Sequence, residues 1–470
     1  MSPARETINI REWTIEARTE PTVRIGVILD EDAHDTVHLG LPGEPHNATF
    51  GDSNETRVLE PGTKLKVRHT GDSLAVGIAD QPTRRAASLR LSHSEHARRS
   101  TIGLAEPGSG ILVRDVIAGR GFHWQKQLDQ TLTGAIELLP AQRGIVLVNE
   151  LPLEDYLAGV ITAEMSGACP ADLLKAQCIV ARSWLLALTE PKHEDEPFDR
   201  CNDDCCQRYQ GTGDLSQTAI AAVRDTRGVA LLDPTGNVLD ANYAKSCGGI
   251  SETPRNVWGF DKPGLSAIVD APPGADVQRF FPITAQNLDE YLDGEWLETT
   301  GIYCSPNVVP ADAIGRYLGR VDEADDYFRW TVRYARRALE ALLREKLDEA
   351  RELALLRGLR VVARGVSGRA SAVELEWDDT SGRLVTARLD SEYRIRQVLH
   401  RQFLYSSAIA FHVKHASRGE IETVTLRGAG WGHGVGMCQI GALGMALQGI
   451  DYEAICRHYY PESRLVNAYR

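Results

Sequence analysis

The chain has 470 residues, enough for about two to four domains of ordinary size. Its 43% hydrophobic and 25% charged residues are close to the average of soluble globular proteins, which excludes long disordered tracts and collagen-like repeats. The net charge of −13 and the lack of any stretch rich in Lys and Arg argue against nucleic acid as a partner. No apolar run reaches the roughly 18 residues that a membrane-spanning helix needs.

The N-terminal third of the sequence is predicted to be mostly β-structure. Residues 1–21 are polar and predict an arm, and no apolar core of the length of a secretory signal is visible in them. Residues 22–150 then contain short alternating runs, such as Val23, Ile25 and Val27, separated by turns. This alternation is typical of strands with one buried face.

From residue 151 the pattern changes to helical spacing. Within residues 153–164, one helical face carries four apolar side chains: Leu153, Leu157, Val160 and Ile161. A second helix is predicted to begin at Pro170, because proline suits the first position of a helix. A pair of helices followed by further strands predicts the α+β class.

A helix-plus-strand subdomain is predicted over residues 285–415. Its helical part, within residues 327–356, reads RYARRALEALLREKLDEARELALL. The many charges in this stretch are typical of a solvated helix face rather than of a binding surface. Strands are predicted to follow from Leu359 to Val413.

Glu164 is the first candidate for a catalytic residue. It shares the apolar face of the first predicted helix and falls at the C-terminal end of that helix. Burial and the negative end of a helix both disfavour a charged carboxylate, and a carboxyl group that keeps its proton is what general-acid catalysis requires. The alternative is a helix-terminal glutamate that pairs with Lys175 or Arg182.

The cysteines indicate a metal site. Nine cysteines, an odd number, exclude a fully paired disulfide framework. Cys201, Cys205 and Cys206 lie close together, and with His193 they offer three thiols and one imidazole, which suffice for a closed tetrahedral zinc site. A vicinal disulfide between Cys205 and Cys206, or simple buried thiols, are the alternatives.

Two glycine-rich segments are candidates for close contact with a ligand. They are KSCGGISE, residues 245–252, and RGAGWGHGVGMCQIGALGMA, residues 427–446. Glycine permits close backbone approach, and free amides at a helix N-terminus can hold oxygen atoms. His433 stands between two glycines just before a predicted helix, as either a site residue or a structural one. The G-x-x-x-x-G-K-[ST] pattern of a nucleotide-binding loop is absent.

The segment VNELPLEDYLAGVITAEMSGACPADLLKAQCIVARSWLLAL resembles the opening motif of the stage II sporulation protein D family, which includes the amidase-enhancer proteins. Later segments follow in the family's order: CQRYQG, DANYAKSCGGISE with VWG, FRWTV, RGVSGR, YRIR, LYSSAIAF, GAGWGHGVGMCQIGALGMALQG and HYYPES. The resemblance runs from about Val148 to Val466. It makes residues 151–470 the catalytic core, with residues 285–415 as a subdomain inside it.

The resemblance implies a peptidoglycan lytic transglycosylase. Such an enzyme cleaves the bond between N-acetylmuramic acid and N-acetylglucosamine in glycan strands whose peptide stems have been removed, and it leaves 1,6-anhydro ends. Glu164 occupies the position of the family's catalytic glutamate and would act first as an acid and then as a base. Because the nucleophile is the sugar's own 6-hydroxyl, no second carboxylate is needed to activate water.

The resemblance also implies roles for further residues. Lys175 and Arg182 stand at the family's basic positions and would hold the muramoyl carboxylate or position Glu164, with a buried ion pair as the alternative. A cleft would be lined by Tyr243, Ser246, Gly248, Gly249, His433 and Gln439. Some family members bind zinc in the loop that corresponds to residues 201–206, although a histidine often replaces Cys205 there.

Two other classes of function remain open at this point. A glycan-binding modifier that stimulates a separate cell-wall amidase would use the same cleft without turnover. A zinc hydrolase would need an open coordination position, which a site with four protein ligands lacks. The family implies a location in the cell envelope or periplasm, whereas the sequence shows no export signal.

Overall fold

The computed structural model describes residues 8–53, 55–78, 81–93, 106–121, 125–189, 192–293, 301–319 and 327–470. The chain divides into two compact units. The first unit comprises Met1–Ala230, Tyr317–Asp322 and Val466–Arg470, and the second comprises Leu231–Arg316 and Glu323–Leu465. Across the described ranges, every helix is too short or too polar to cross a lipid bilayer.

The first unit is built on two sheets. Its strands are β1 Ile8–Asn9, β2 Pro21–Ile28, β3 Thr36–Gly40, β4 His46–Phe50, β5 Glu55–Leu59, β6 Lys64–His69, β7 Leu74–Ile78, β8 Arg84–Ala86, β9 Leu89–His93, β10 Ile111–Ala118, β11 Lys126–Leu132, β12 Ala135–Pro140, β13 Ile145–Pro152 and β14 Arg200–Cys201. One sheet has the order β1-β2-β13-β12-β9-β4-β5, with β14 also paired to β2, and the other has the order β11-β10-β3-β6-β7-β8. The β-rich prediction for residues 22–150 is confirmed.

The described part of the predicted polar arm, residues 8–21, packs against the rest of the first unit. β1 pairs in parallel with the start of β2, and Ile10 is fully buried. The indole Nε1 of Trp13 donates a hydrogen bond to the Thr19 carbonyl at 2.9 Å. Residues 1–7 of this predicted segment lie outside the described residues.

The helices of the first unit are α1 Leu153–Glu164, α2 Ala171–Ala187 and α3 Gln217–Asp225. The predicted first helix has these same bounds, and the four side chains of its predicted apolar face are buried. Pro170 is the N-cap residue of α2 rather than its first helical residue. Ser216 caps α3, because its side chain accepts a hydrogen bond from the amide of Ala219 at 3.0 Å.

Two segments from far along the sequence complete the first unit around α1. After the C-terminal end of α1, the amide of Ser166 donates to the carbonyl of Tyr317 at 3.0 Å. Near its N-terminal end, the hydroxyl of Tyr469 donates to Glu154 Oε1 at 2.6 Å. Both ends of α1 are therefore held by residues more than a hundred positions away in sequence.

The remaining strands are β15 Val229–Leu232, β16 Tyr243–Ala244, β17 Arg329–Ala335, β18 Leu353–Arg364, β19 Ala370–Asp379, β20 Leu384–Leu389, β21 Ile409–His415, β22 Ile421–Ala429, β23 Met437–Cys438 and β24 Arg464–Asn467. The helices are α4 Pro254–Trp258, α5 Leu288–Asp293, α6 Arg336–Lys346, α7 Glu392–Val398, α8 Gln439–Leu447 and α9 Tyr452–Tyr459. The second unit contains three small sheets, ordered β17-β22-β21, β18-β19-β20 and β16-β23. Sheets and helices in both units confirm the α+β class.

The short 3-10 helices of the described chain are Ile10–Glu12, Ile15–Ala17, Asp30–Asp32, Asp276–Phe280, Ile314–Arg316 and Asp348–Ala350.

The charged helical stretch predicted within residues 327–356 was too long. Within it, the only α-helix is α6, which presents Leu339, Leu342 and Leu343 to the core at helical spacing, and Asp348–Ala350 forms a short 3-10 helix. The flanking residues form β17 and β18, which pair with β22 and β19. Strand pairing, with the distant β22 on one side and in a hairpin with β19 on the other, overrides the helix propensity of these flanks.

Candidate catalytic and metal-binding sites

Glu164 is the last residue of α1 and is buried, with 7% of its surface exposed. The next residue, Met165, has an extended backbone (φ −139°) and ends the helix. The amide N–H of Arg208 donates to Glu164 Oε1 at 3.4 Å. The structure therefore places a largely buried carboxyl group at the negative end of a helix, beside one backbone donor.

A close contact at a glycine brings the segment of Arg208 against α1. A Cβ atom at Gly159 would lie 2.6 Å from the ring of Tyr209, so only glycine allows the ring to pack there without a shift. The rings of Tyr209 and Tyr156 are 5.2 Å apart, and the Tyr209 hydroxyl donates to Asn149 Oδ1 at 2.8 Å. These contacts explain why the CQRYQG segment runs past the end of α1.

The two basic residues predicted on α2 have different environments. Lys175 Nζ lies 3.1 Å from Asp225 Oδ2, and this hydrogen-bonded pairing lowers the pKa of Asp225. Arg182 is fully buried and donates from Nε and Nη2 to the two carboxylate oxygens of Glu154, at 3.0 and 2.6 Å. Arg182 thus forms the buried ion pair that the sequence left as an alternative, with Glu154 as its partner.

The four predicted metal ligands come together in the first unit and are called the loop cluster. Their ligand atoms, from His193, Cys201, Cys205 and Cys206, all lie within 4.8 Å of one another. No disulfide joins these cysteines, and Cys205 Sγ lies 3.7 Å from His193 Nε2. Hydrogen bonds from Cys201 and Cys205 hold the pKa of Cys206 well below its usual value, and the thiolate is the form that binds a metal. One nitrogen and three sulfur donors fit a tetrahedral ion.

The loop cluster is attached firmly to the first sheet. β14 pairs in parallel with β2, so that Cys201 lies opposite Gly26. Cys201 and Phe198 pack in a small apolar core with Leu29 and two residues of β13. The carboxylate of Asp203 accepts hydrogen bonds from two backbone amides of residues 119 and 120, at 3.0 and 2.8 Å. A bound ion would therefore connect the loop to a rigid sheet.

The two glycine-rich segments lie side by side in the second unit. β16 pairs in parallel with β23, and the backbones of Ser246 and Trp431 exchange hydrogen bonds at 3.0 and 2.8 Å. Gly248 has a φ of +78°, and a Cβ there would lie 2.7 Å from the amide nitrogen of Gly430. Glycine is required at this position by both the backbone conformation and the close approach.

Arg369 connects the two glycine-rich segments, and sequence analysis missed it. Its fully buried guanidinium donates to the carbonyls of Gly432 and Cys247 at 3.2 and 3.3 Å, and to Ser367 Oγ at 3.1 Å. The residue belongs to the RGVSGR segment, which the resemblance singled out as a motif without assigning it a role.

The second unit contains all six residues that were predicted to line a cleft. Tyr243 and His433 are half-buried, whereas Ser246 and Gln439 are buried, as are the two glycines at 248 and 249. Only Tyr243 and His433 of these six residues are therefore partly exposed to solvent.

His433 is held as a neutral imidazole. Its Nδ1 accepts a hydrogen bond from the amide of Val435 at 3.1 Å, which leaves the proton on Nε2. Burial, together with the positive charges of Arg369 and Arg396, lowers the pKa of His433 to about 3. His433 is therefore uncharged at neutral pH, and the backbone of Tyr243 is a further hydrogen-bond partner of its ring.

Aromatic rings surround His433 and its neighbouring segment. The Trp258 ring centroid lies 5.2 Å from that of His433, and Trp431 lies 4.6 Å from Tyr405. Trp258, Trp431 and Tyr405 are half-buried, so each presents part of a ring to solvent. Such rings combine an apolar face with a polar edge, which suits contact with ligands of mixed polarity. Both tryptophans belong to motifs of the family resemblance, VWG and GAGWGHG. These motifs could have indicated them as candidate site residues.

These features define an α+β protein with a buried helix-terminal glutamate, a Cys/His cluster able to hold a metal ion, and two paired glycine-rich segments. The family model described as Stage II sporulation protein matches residues 141–232, which contain α1, α2 and the loop cluster. A second model, described as Domain of unknown function (DUF8618), matches residues 257–436.

Curated relatives agree with that match. The chain is 26% identical over 366 residues to an uncharacterized protein of Brachyspira hyodysenteriae, covering 77% of this chain and 80% of that protein. It is 25% identical over 311 residues to the amidase enhancer of Bacillus subtilis, covering 66% of this chain and 40% of the relative. It is 21% identical over 327 residues to stage II sporulation protein D of Bacillus amyloliquefaciens, covering 67% of this chain and 74% of that protein. The match to residues 141–232 and these relatives support the resemblance to the stage II sporulation protein D family that the motifs indicated.

Proposed function

We propose that this protein acts on the bacterial cell wall as a peptidoglycan lytic transglycosylase with Glu164 as its catalytic residue. Relatives named amidase enhancer and stage II sporulation protein D support the cell-wall role. The observation that carries the enzymatic proposal is the burial of Glu164 at the C-terminal end of α1. General-acid catalysis needs one positioned carboxyl group of this kind.

The reaction needs one carboxyl group. Glu164 donates its proton to the glycosidic oxygen between N-acetylmuramic acid and N-acetylglucosamine, and the bond from that oxygen to C1 breaks. The resulting carboxylate accepts the proton of the muramoyl 6-hydroxyl while the 6-oxygen bonds to C1, which closes the anhydro ring and restores the acid. The amide of Arg208 at 3.4 Å would stabilise the carboxylate between these two steps.

The second unit supplies the groups suited to binding sugar rings. The half-buried rings of Tyr243, Trp258 and Trp431 offer surfaces for stacking, and the imidazole of His433 beside Trp258 is uncharged. Ser246, Gly248, Gly249 and Gln439 would support this surface from behind. Lys175, which is partly exposed, remains a candidate for the muramoyl carboxylate, because a surface ion pair such as that with Asp225 is easily exchanged.

We also propose that the loop cluster binds structural Zn²⁺ through His193, Cys201, Cys205 and Cys206. Four protein ligands leave no position for a reacting water, so the ion would supply stability and not catalysis. The donor set and the spacing within 4.8 Å support this assignment.

Mass spectrometry of peptide-free glycan strands incubated with the protein tests the function. The wild type should produce 1,6-anhydromuramic ends, and Glu164→Gln should lower the rate by about 10²–10⁴-fold while keeping strand binding. Glu345→Gln, on an exposed position of α6, is the matched control and should retain full activity. Reducing ends in place of anhydro ends would contradict the mechanism, because they require attack by water.

The 25% identity to an amidase enhancer favours a second candidate function. In that case the protein binds glycan strands without cleaving them and accelerates a separate cell-wall amidase. Strand binding by the wild type without any cleavage, together with a faster amidase reaction in its presence, would favour this function over the first.

A further inference from the structure

A second group of metal-ligating side chains lies in the second unit, in residues for which sequence analysis assigned no role. The Sγ atoms of Cys247, Cys304 and Cys438 and a carboxylate oxygen of Asp270 all lie within 4.8 Å of one another. Their residues are exposed by 2%, 3%, 1% and 0%, respectively. We propose that these four residues, called here the buried cluster, form a closed site for one divalent metal ion that favours sulfur, with Zn²⁺ as the best fit.

The spacing of the sulfur atoms fits one tetrahedral ion better than a disulfide. Cys247 Sγ and Cys304 Sγ are 3.7 Å apart. Four ligands around a zinc ion with bonds of about 2.3 Å place neighbouring sulfur atoms about 3.8 Å apart. A disulfide requires about 2.05 Å, and all three cysteines are free. This pair of sulfur atoms thus has the separation that a shared central ion would produce.

The ligand atoms are also oriented by their neighbours. Cys438 Sγ accepts hydrogen bonds from the backbone amides of Cys247 and Gly441, each at 3.2 Å, at the N-terminus of α8. Asp270 Oδ1 accepts a hydrogen bond of 2.7 Å from the hydroxyl of Tyr459. Contacts of this kind hold ligands in place and stabilise their negative charge in metal sites.

The burial of Asp270 is a further reason to expect an ion. A fully buried carboxylate is costly unless it is paired or coordinates a metal. The nearest cationic partner among the described ion pairs is His458, whose Nε2 lies 3.6 Å from Oδ1 and is charged only when protonated. The Cys247 sulfur lies 3.4 Å from Oδ2, and this contact orients the carboxylate toward the cluster. A divalent ion would balance the charge that this arrangement concentrates.

The site would fix the geometry of both glycine-rich segments. Cys247 lies between Ser246 and Gly248 in the first segment, and Cys438 directly precedes Gln439 in the second. One ion bound to both would hold them together in addition to Arg369. Its effect on glycan binding rests on the proposed function, whereas the existence of the metal site does not.

Metal analysis of the full chain, purified under reducing conditions, tests the proposal. Elemental mass spectrometry should find two equivalents of zinc per chain, one in each cluster. Cys205→Ser should lose the loop-cluster equivalent, and Cys304→Ser should lose the other. Cys456→Ser, which changes a fully buried cysteine of the same unit outside the cluster, is the matched control and should keep both.

If Cys304→Ser does not fold, cobalt substitution tests for the buried cluster in a protein that retains all four of its ligands. Co²⁺ added to the metal-free Cys205→Ser protein should give the thiolate charge-transfer and tetrahedral ligand-field absorption of one remaining sulfur-rich site. Absence of these bands, a disulfide between any two of the three cysteines in peptides from protein kept non-reduced, or iron with acid-labile sulfide would each overturn the proposal. Metal content is measured independently of glycan cleavage, so its failure leaves the proposed function untouched.

Discussion

The loop cluster and the buried cluster contain similar ligands but are assembled in opposite ways. The loop cluster takes all its ligands from residues 193–206, and Cys205 is exposed. The buried cluster takes its ligands from four segments between Cys247 and Cys438, all inaccessible to solvent. An ion in the loop cluster would close a short loop, whereas an ion in the buried cluster would connect segments almost two hundred positions apart. The same ligand chemistry would then stabilise a local loop in one unit and a long-range contact in the other.

The largest expected difference between the clusters is the rate of metal release. Chelation of zinc-loaded protein, followed with a chromogenic zinc indicator, should show two phases that differ by at least about 100-fold. The buried ion can leave only after local unfolding, and an opening cost of about 3 kcal/mol slows release by that factor. Cys205→Ser should remove the fast phase alone. A single phase in the wild type would show that the two clusters are equally accessible.

The same contrast between buried and exposed groups applies to the two ion pairs of α2. Arg182→Met leaves Glu154 buried without its cation and should lower the free energy of unfolding by about 3–5 kcal/mol. Lys175→Met removes a partly exposed pair with Asp225 and should cost less than about 1 kcal/mol. Urea denaturation of both variants measures the difference. Equal effects would mean that burial does not govern these pairs.

Two glycines of the first unit make a matched pair for backbone packing. Gly159→Ala puts a methyl group 2.6 Å from the Tyr209 ring and should destabilise the protein by about 1–3 kcal/mol. Gly213→Ala, where no described heavy atom lies within 4 Å, should have little effect. Because Tyr209 neighbours the residue that contacts Glu164, Gly159→Ala should also slow glycan cleavage. Normal stability and activity of Gly159→Ala would show that the Tyr209 ring can shift at no cost.

The last prediction concerns the dependence of stability on pH. The folded protein holds the pKa of His433 at about 3, below the ordinary 6.5, so the unfolded chain binds the extra proton first. Stability should therefore fall as pH decreases from about 6.5 toward 3, by about 1 kcal/mol per pH unit from this group. His433→Asn should show a shallower slope in urea denaturation between pH 4 and 7. Parallel curves for the two proteins would contradict the shift.

Local patterns in the sequence predicted the parts of the structure that are local. The bounds of α1 followed from four apolar residues at helical spacing, and the loop cluster followed from cysteines that are neighbours in sequence. In both cases the residues that come together are separated by only a few positions in sequence. Their sequence spacing is therefore enough to predict that they lie close together in space.

Features that depend on distant partners could not be predicted in this way. Cys247, Cys304 and Cys438 appeared as scattered cysteines, because only the pairing of β16 with β23 and the path of the intervening chain bring them together. For Arg182 the sequence suggested Glu164 as a carboxylate partner, whereas the structure pairs Arg182 with Glu154 of the same helix. The extent of the helix predicted around α6 was wrong because both flanks form strands, β17 with the distant β22 and β18 in a hairpin with β19.

The hydrogen bond from Tyr469 to Glu154 also bears on how the protein is made. The first unit includes residues up to Ala230, yet this contact becomes available only when residue 469 has been synthesised and released. At about 5–20 residues per second, the intervening stretch of about 240 residues takes roughly 12–48 s on the ribosome. During that interval the buried pair of Glu154 and Arg182 lacks the hydrogen bond from Tyr469. The first unit therefore reaches its final structure only after most of the second unit has been synthesised.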